Sequence, residues 1–204
     1  MERRVKPEDN IPVRMLEPEA IESRKLAMTN KKLSKKGESQ LRVALLSLNG
    51  KAVNADVMEK FYRHLDSYLR LEVQPYSICT KGCDQCCHVR VDVSLLEAWY
   101  ISEMSGVELD VEPMQNKVQG RNAEVPCPFL KDGGCSIYKY RPIACRMFNA
   151  IDHWKHCYAN EQHSVFTIMS QPEVAELQGH LMRSGHEDVG SSWADIRQWF
   201  PPAK

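Results

Sequence analysis

The sequence predicts a mainly helical α+β protein: a small cysteine-rich core with short strands and a hairpin, flanked by helices on both sides. Three observations carry this expectation. Apolar residues recur at three- and four-residue steps through residues 41–48 and again through 57–71. All eight cysteines fall between positions 79 and 157, with none in the first 78 or the last 47 residues. The runs Val89–Val93 and Phe129–Tyr138 have the length and turn chemistry of strands rather than helices.

Composition narrows the class of molecule. A chain of 204 residues with 43% hydrophobic and 26% charged side chains can bury a core. Its 27 basic residues balance 27 acidic ones, so no net field draws it to nucleic acid. The longest apolar run, Val43–Leu48, is far short of the roughly 20 residues that cross a bilayer. The start, Met1-Glu-Arg-Arg-Val-Lys-Pro, has basic residues with no apolar stretch behind them. It is therefore not read as a secretory signal, and a cytoplasmic home is expected.

Four segments are expected along the chain. Residues 1–37 read as a charged, partly disordered leader, with prolines at 7, 12 and 18 and the basic stretch Lys31-Lys32 to Lys35-Lys36. Residues 38–74 read as a helical pair. Leu41, Ala44, Leu45 and Leu48 make the first apolar face, with Asn49-Gly50 as its stop. Asn54 caps the second helix, which carries Val57, Met58, Phe61, Tyr62, Leu65, Tyr68 and Leu69 and runs to about Leu71 ahead of Pro75.

Residues 75–160 hold the cysteines. Val89-Arg-Val-Asp-Val93 alternates as a half-buried strand does, and Ser94 then caps a helix closed by Gly106. Residues 107–126 suit a short helix or a surface loop equally. Lys131-Asp-Gly-Gly134 between apolar pairs is a hairpin turn with glycines available for positive φ. Residues 161–204 are expected to pack on this core as helices. One opens at Ser170-Gln-Pro-Glu173 and runs to about Arg183; a shorter one spans about 192–200.

The chemistry concentrates in the cysteines. Cys79, Cys83, Cys86 and Cys87 stand within nine residues, and Cys83 and Cys86 form a C-x-x-C pair. Two intervening residues fold into a knuckle whose sulfurs both reach one ion at about 2.3 Å. Adjacent cysteines such as Cys86 and Cys87 point apart, so the loop can serve two ions or a polynuclear cluster. Cys127, Cys135, Cys145 and Cys157 follow with gaps of seven, nine and eleven residues, which match no knuckle by themselves. In a reducing compartment such clustered thiols are metal ligands or redox groups. His88, His153 and His156 stand close in sequence, but eight thiolates already complete two tetrahedral ions, so the histidines are not expected in the ligand set.

A thiolate site is net negative, and nearby cations offset it. Arg141 and Arg146 are the candidates to face the thiolates; packing on Tyr138 or Tyr140 fits them equally well. Tyr138 and Phe148 are expected to cover the site. No nucleophile–base pair, phosphate loop or dinucleotide fingerprint is present, and nothing identifies a substrate.

The run C-x3-C-x2-C-C, then Cys127-Pro-Phe-Leu, then C-x-I-Y-x2-R-P-x2-C-R-x-F at 135–148 and the trailing Cys157 resembles the YkgJ-like cysteine-cluster family, the CxxCxxCC zinc- or iron-chelating domain. The likeness covers Cys79 to Cys157 and includes Val93, Ser94, Leu96, Glu97 and Ala98 after the double cysteine. The first gap here is three residues rather than two, which makes Cys79 the least secure of the first four ligands. The resemblance implies bound zinc or iron. The domain also resembles the cysteine-rich part of flagellin lysine methylases, where an iron–sulfur cluster is implicated. That tilts the expectation toward an Fe–S cluster over zinc, and it keeps open a redox or radical-type enzyme, or an electron-transfer partner, beside a plain metal-binding role.

Overall fold

Why the helical pair forms is clear from its ends and from one close approach. A computed structural model describes residues 11–48, 53–80, 82–110, 125–157, 165–166 and 193–200, together with Glu176, Gly179 and Leu181. Helix α1 is Pro18–Thr29, α2 is Lys35–Leu48 and α3 is Ala55–Glu72. Helix α2 begins three residues before the predicted start, behind Ser34, whose Oγ accepts from Gly37 N–H at 3.0 Å and also donates to Glu72. Asn54 caps α3 as expected, its Oδ1 accepting from Val57 N–H at 3.0 Å. Gly37 lets α2 lie directly against Glu72, where a methyl group would overlap that carboxylate. Met58, Phe61, Leu65 and Tyr68 are fully buried along the α3 stripe.

Within the leader, residues 11–37 hold α1 and pack inward. Ile11 shares an apolar cluster with Ile78, Ala150 and Cys157, and Arg24 Nε donates to Ile151 O at 3.0 Å. Charge composition does not announce this docking, because it rests on single contacts rather than on a stripe.

After α3, a 3-10 turn at Gln74–Tyr76 leads into the cysteine segment. Strand β1 (Asp92–Ser94) runs straight into α4 (Leu95–Ser105). Ser94 and Glu97 complete a capping box, and Gly106 closes the helix at φ 71°. Glu97 is buried and knits three elements together. It accepts from Tyr62 OH at 2.8 Å on α3 and from Ile143 N–H at 2.8 Å, the first residue of α5 (Ile143–Met147). Consequently α3, α4 and α5 share one apolar core containing Leu65, Leu96, Tyr100, Ile143 and Met147.

Among the described residues, three two-stranded antiparallel sheets complete the fold. The hairpin pairs β2 (Leu130–Lys131) with β3 (Gly134–Cys135), turning through Asp132 at φ 50° and Gly133 at φ 72°. Both signs are positive, as the tight hairpin turn requires. Strand β4 (Asn149–Ala150) pairs with β5 (Val165–Phe166). Strand β6 (Trp193–Asp195) pairs with β1 in the register Val93↔Ala194.

One expectation needs correction. Residues 192–200 are not a single short helix: β6 comes first, and the helix is only Ile196–Trp199. The cause is Asp195, fully buried, whose carboxylate accepts from Val91 N–H at 2.8 Å and Arg197 N–H at 2.9 Å and so ends the strand and caps the helix at one point. Trp199 Nε1 donates to Val93 O at 2.8 Å, locking the segment onto β1. Most of the helix expected over 170–183 lies outside the described residues, although Glu176, Gly179 and Leu181 are helical and Leu181 is buried. The segment 107–126 is likewise largely outside them. Among the described residues, no helix is long and apolar enough to cross a membrane.

Candidate metal centre

The eight cysteines arrive from several separate places along the chain. Cys79 follows the turn after α3, and its sulfur accepts from Ala150 N–H at 3.3 Å. Gly82 sits at φ 88°, allowing the bend in which Cys83 N–H donates to Thr80 O at 3.2 Å. Cys86 and Cys87 lie on a 3-10 turn, Gln85–His88. Cys127 is tied to that turn, its N–H donating to Cys87 O at 2.8 Å. Cys135 stands on β3, Cys145 within α5, and Cys157 ends a 3-10 turn at Trp154–Cys157, where it is buried. All eight are unbridged thiols.

Electrostatics shows which thiols are neighbours. Burial pushes Cys83 and Cys127 up to about 11 and Cys157 up to about 12. Cys79, Cys135 and Cys145 are also raised, chiefly by burial. Cys86 is raised first by its hydrogen bond with Cys87 and then by burial. After burial, the negative charge of Cys86 lifts Cys79, Cys83, Cys127, Cys135, Cys145 and Cys157. Cys157 feels Cys79 and Cys83, whereas Cys145 feels Cys127 and Cys135. The charge of Cys86 thus acts both on the set Cys79, Cys83 and Cys157 and on the set Cys127, Cys135 and Cys145. Redox-active thiols need a depressed pKa, and every thiol shift resolved here runs upward.

Thiols with raised pKa values stay protonated at neutral pH unless a cation compensates them, so a metal must displace their protons to bind. The donor set therefore fits a thiophilic ion or an iron–sulfur cluster in chemistry. It is not closed around a point: among the described residues, no three His, Cys, Asp or Glu side chains stand in ligating geometry together. His88 Nε2 lies 3.8 Å from Asp84, and His153 Nδ1 accepts from Lys155 N–H at 3.1 Å.

Both arginines favour the Cys135 thiolate, and they differ in what else they hold. Arg141 packs on Tyr138. Its guanidinium lies 3.9 Å from the Tyr138 ring centre, and its charge favours the thiolates of Cys79, Cys86, Cys135 and Cys145. Arg146 stacks on Tyr62 at 4.1 Å, not on Tyr138 or Tyr140. Its guanidinium pairs with Asp66 and donates to Arg141 O at 2.8 Å and Lys139 O at 2.6 Å. It clamps the loop between Cys135 and Cys145. Tyr138 is 53% exposed, so it supports Arg141 rather than sealing the site. Phe148 lines a cleft of about 230 Å³ together with Cys86, Cys145 and Val89.

One residue escaped the sequence reading. Arg197 donates to Cys87 O at 2.9 Å, Val89 O at 3.2 Å and Val125 O at 2.6 Å, and it favours the Cys127 thiolate. Nothing in local spacing could flag a contact made 110 residues away.

Fold and thiols together define a cysteine-cluster domain set in a helical frame. Residues 78–169 match the CxxCxxCC family model, described as "Putative zinc- or iron-chelating domain". No curated protein and no solved structure matches the chain.

Proposed function

We propose that this is a cytoplasmic metal-binding protein whose Cys79, Cys83, Cys86, Cys87, Cys127, Cys135, Cys145 and Cys157 hold an iron–sulfur cluster or zinc. The observation that carries the reading is the position of Cys86, within electrostatic reach of both thiol groups. In this reading Cys79, Cys83 and Cys157 serve one metal position and Cys127, Cys135 and Cys145 a second, with Cys86 and Cys87 between them. Arg141 offsets the thiolate charge directly, and Arg146 holds the Arg141 and Lys139 carbonyls behind it. The domain of residues 75–160 is then completed on both sides, by the leader and helical pair of residues 1–37 and 38–74 and by the segment 161–204.

Protein purified without oxygen and analysed for metal and absorbance tests this. An iron–sulfur protein is brown, and its thiolate-to-iron bands bleach on reduction. A zinc protein is colourless and keeps its metal in air. Iron–sulfur is the favoured outcome on the methylase resemblance alone. Protein that binds neither metal overturns the reading.

A second reading is that the cluster does redox or radical chemistry, or passes electrons to a partner. The cleft beside Cys86 and Cys145 favours it, because a purely structural thiolate site has no need of an adjoining cavity. A small added ligand such as cyanide should then perturb the absorption of the loaded protein.

A further inference from the structure

A second cavity, of about 350 Å³, opens between the C-terminal half of α3 and the loop joining the hairpin to α5. Its charged lining is Arg70, Lys139, Arg141 and Arg146 against a single carboxylate, Asp66. That carboxylate is already committed, since Arg146 holds it. Lys139 Nζ stands 3.9 Å from Glu59 and leans on the Tyr140 ring at 5.5 Å. Among the described residues, no carboxylate pairs with Arg70 or Arg141. Arg70 donates to Ser67 Oγ at 3.4 Å.

Arg141 carries the strongest sign of a missing partner. Its Nε is buried and, among the described residues, finds no acceptor. A buried donor without an acceptor is costly, and one on a guanidinium more so. The face of that guanidinium is taken by Tyr138, which leaves only its edge for hydrogen bonding. A guanidinium edge presents parallel donors that match two oxygens of one anion. The backbone that carries it is rigid, because Arg146 ties down the Arg141 and Lys139 carbonyls. Gln74 and Asn149 add amide groups to the wall.

We propose that this cavity binds a small oxyanion of the phosphate class, held by Arg141 and Arg70. The volume suits a phosphate or a short phosphomonoester, and the excess of cations selects a dianion over a neutral solute. The site shares Arg141 with the thiols and so rests in part on the proposed metal centre, whereas Arg70 belongs to the cavity alone.

Titration of the full-length, metal-loaded protein with inorganic phosphate, read by calorimetry with chloride as control, tests this. The metal content of each sample is measured alongside. Saturable one-site binding is expected, weakened at least about tenfold by Arg70→Gln and by Arg141→Gln, the size of one lost charge-assisted bond. Arg70 is solvent-exposed, so Arg70→Gln should keep its fold and metal and decides the matter even if Arg141→Gln does not. Glycerol 3-phosphate in place of phosphate separates the sources: tighter binding of the ester assigns an organic phosphate, and weaker binding assigns the free ion. Absence of saturable phosphate binding, or an affinity unchanged by Arg70→Gln, overturns the proposal. Metal content that stays full in such a sample leaves the thiol reading standing.

Discussion

The charge of Cys86 acts on both thiol groups while that of Cys157 is tied to one, so the two should not be equivalent ligands. Cys86→Ser is expected to lose more bound metal than Cys157→Ser, and Cys83→Ser likewise, because Gly82 preorganises their short loop. Metal-to-protein ratios of the three variants decide it; equal loss would reverse the hierarchy. A pH dependence follows from the same thiols. Their pKa values, about 11 for Cys83 and Cys127 and about 12 for Cys157, lie above neutrality, so metal must displace protons. Apparent affinity for zinc should therefore rise with pH between 6 and 8, with protons released on binding. Calorimetry in buffers of different ionisation enthalpy counts them.

At the scale of elements, two buried carboxylates hold the frame. Asp195 accepts from Val91 N–H and also caps the last helix. Asp195→Ala strands those donors, at about 1–3 kcal/mol each, and should free the C-terminal segment from β1. Hydrogen exchange at Val91 and Arg197 reads this directly. Glu72 joins α3 to the entry of α2. Burial pushes its pKa up, but hydrogen bonds from Lys31 and Ser34 outweigh burial and leave it below the usual value. A depressed carboxylate contributes stability that is present above its unfolded pKa and disappears as pH falls through the folded one. The urea midpoints of wild type and Glu72→Gln should thus differ at pH 7 and converge toward pH 3. A constant gap would show that ionisation of Glu72 contributes nothing.

For the whole molecule, the separation between scaffold and site predicts how it responds to metal loss. The core around Leu65, Leu96 and Tyr100 contains no cysteine, whereas the loops bearing Cys79–Cys87 and Cys127–Cys135 hold few large buried side chains. Complete chelation should therefore abolish amide protection in the cysteine loops and leave α2, α3 and α4 protected. Unchanged protection throughout would mean that the loops fold without metal.

Much of this architecture was legible in the residues themselves. Helices α3 and α4 announce their faces and caps locally, through Asn54, Ser94 with Glu97, and Gly106, because capping and periodicity act within one or two turns. The hairpin is equally local, since Asp132 and Gly133 dictate its turn. The cysteines named the chemistry by number and clustering alone. What only the tertiary structure decided are the contacts that span the chain: Ile11 beside Cys157, Arg24 on Ile151, β6 on β1, and Arg197 on Cys87. So too the different contacts of Arg141 and Arg146, which turn on whether Tyr62, Tyr138 or Asp66 stands opposite. Such contacts follow from how elements close on one another. Their energy comes from burial and from pairing single polar groups at long sequence separation, which leaves no period or spacing along the chain.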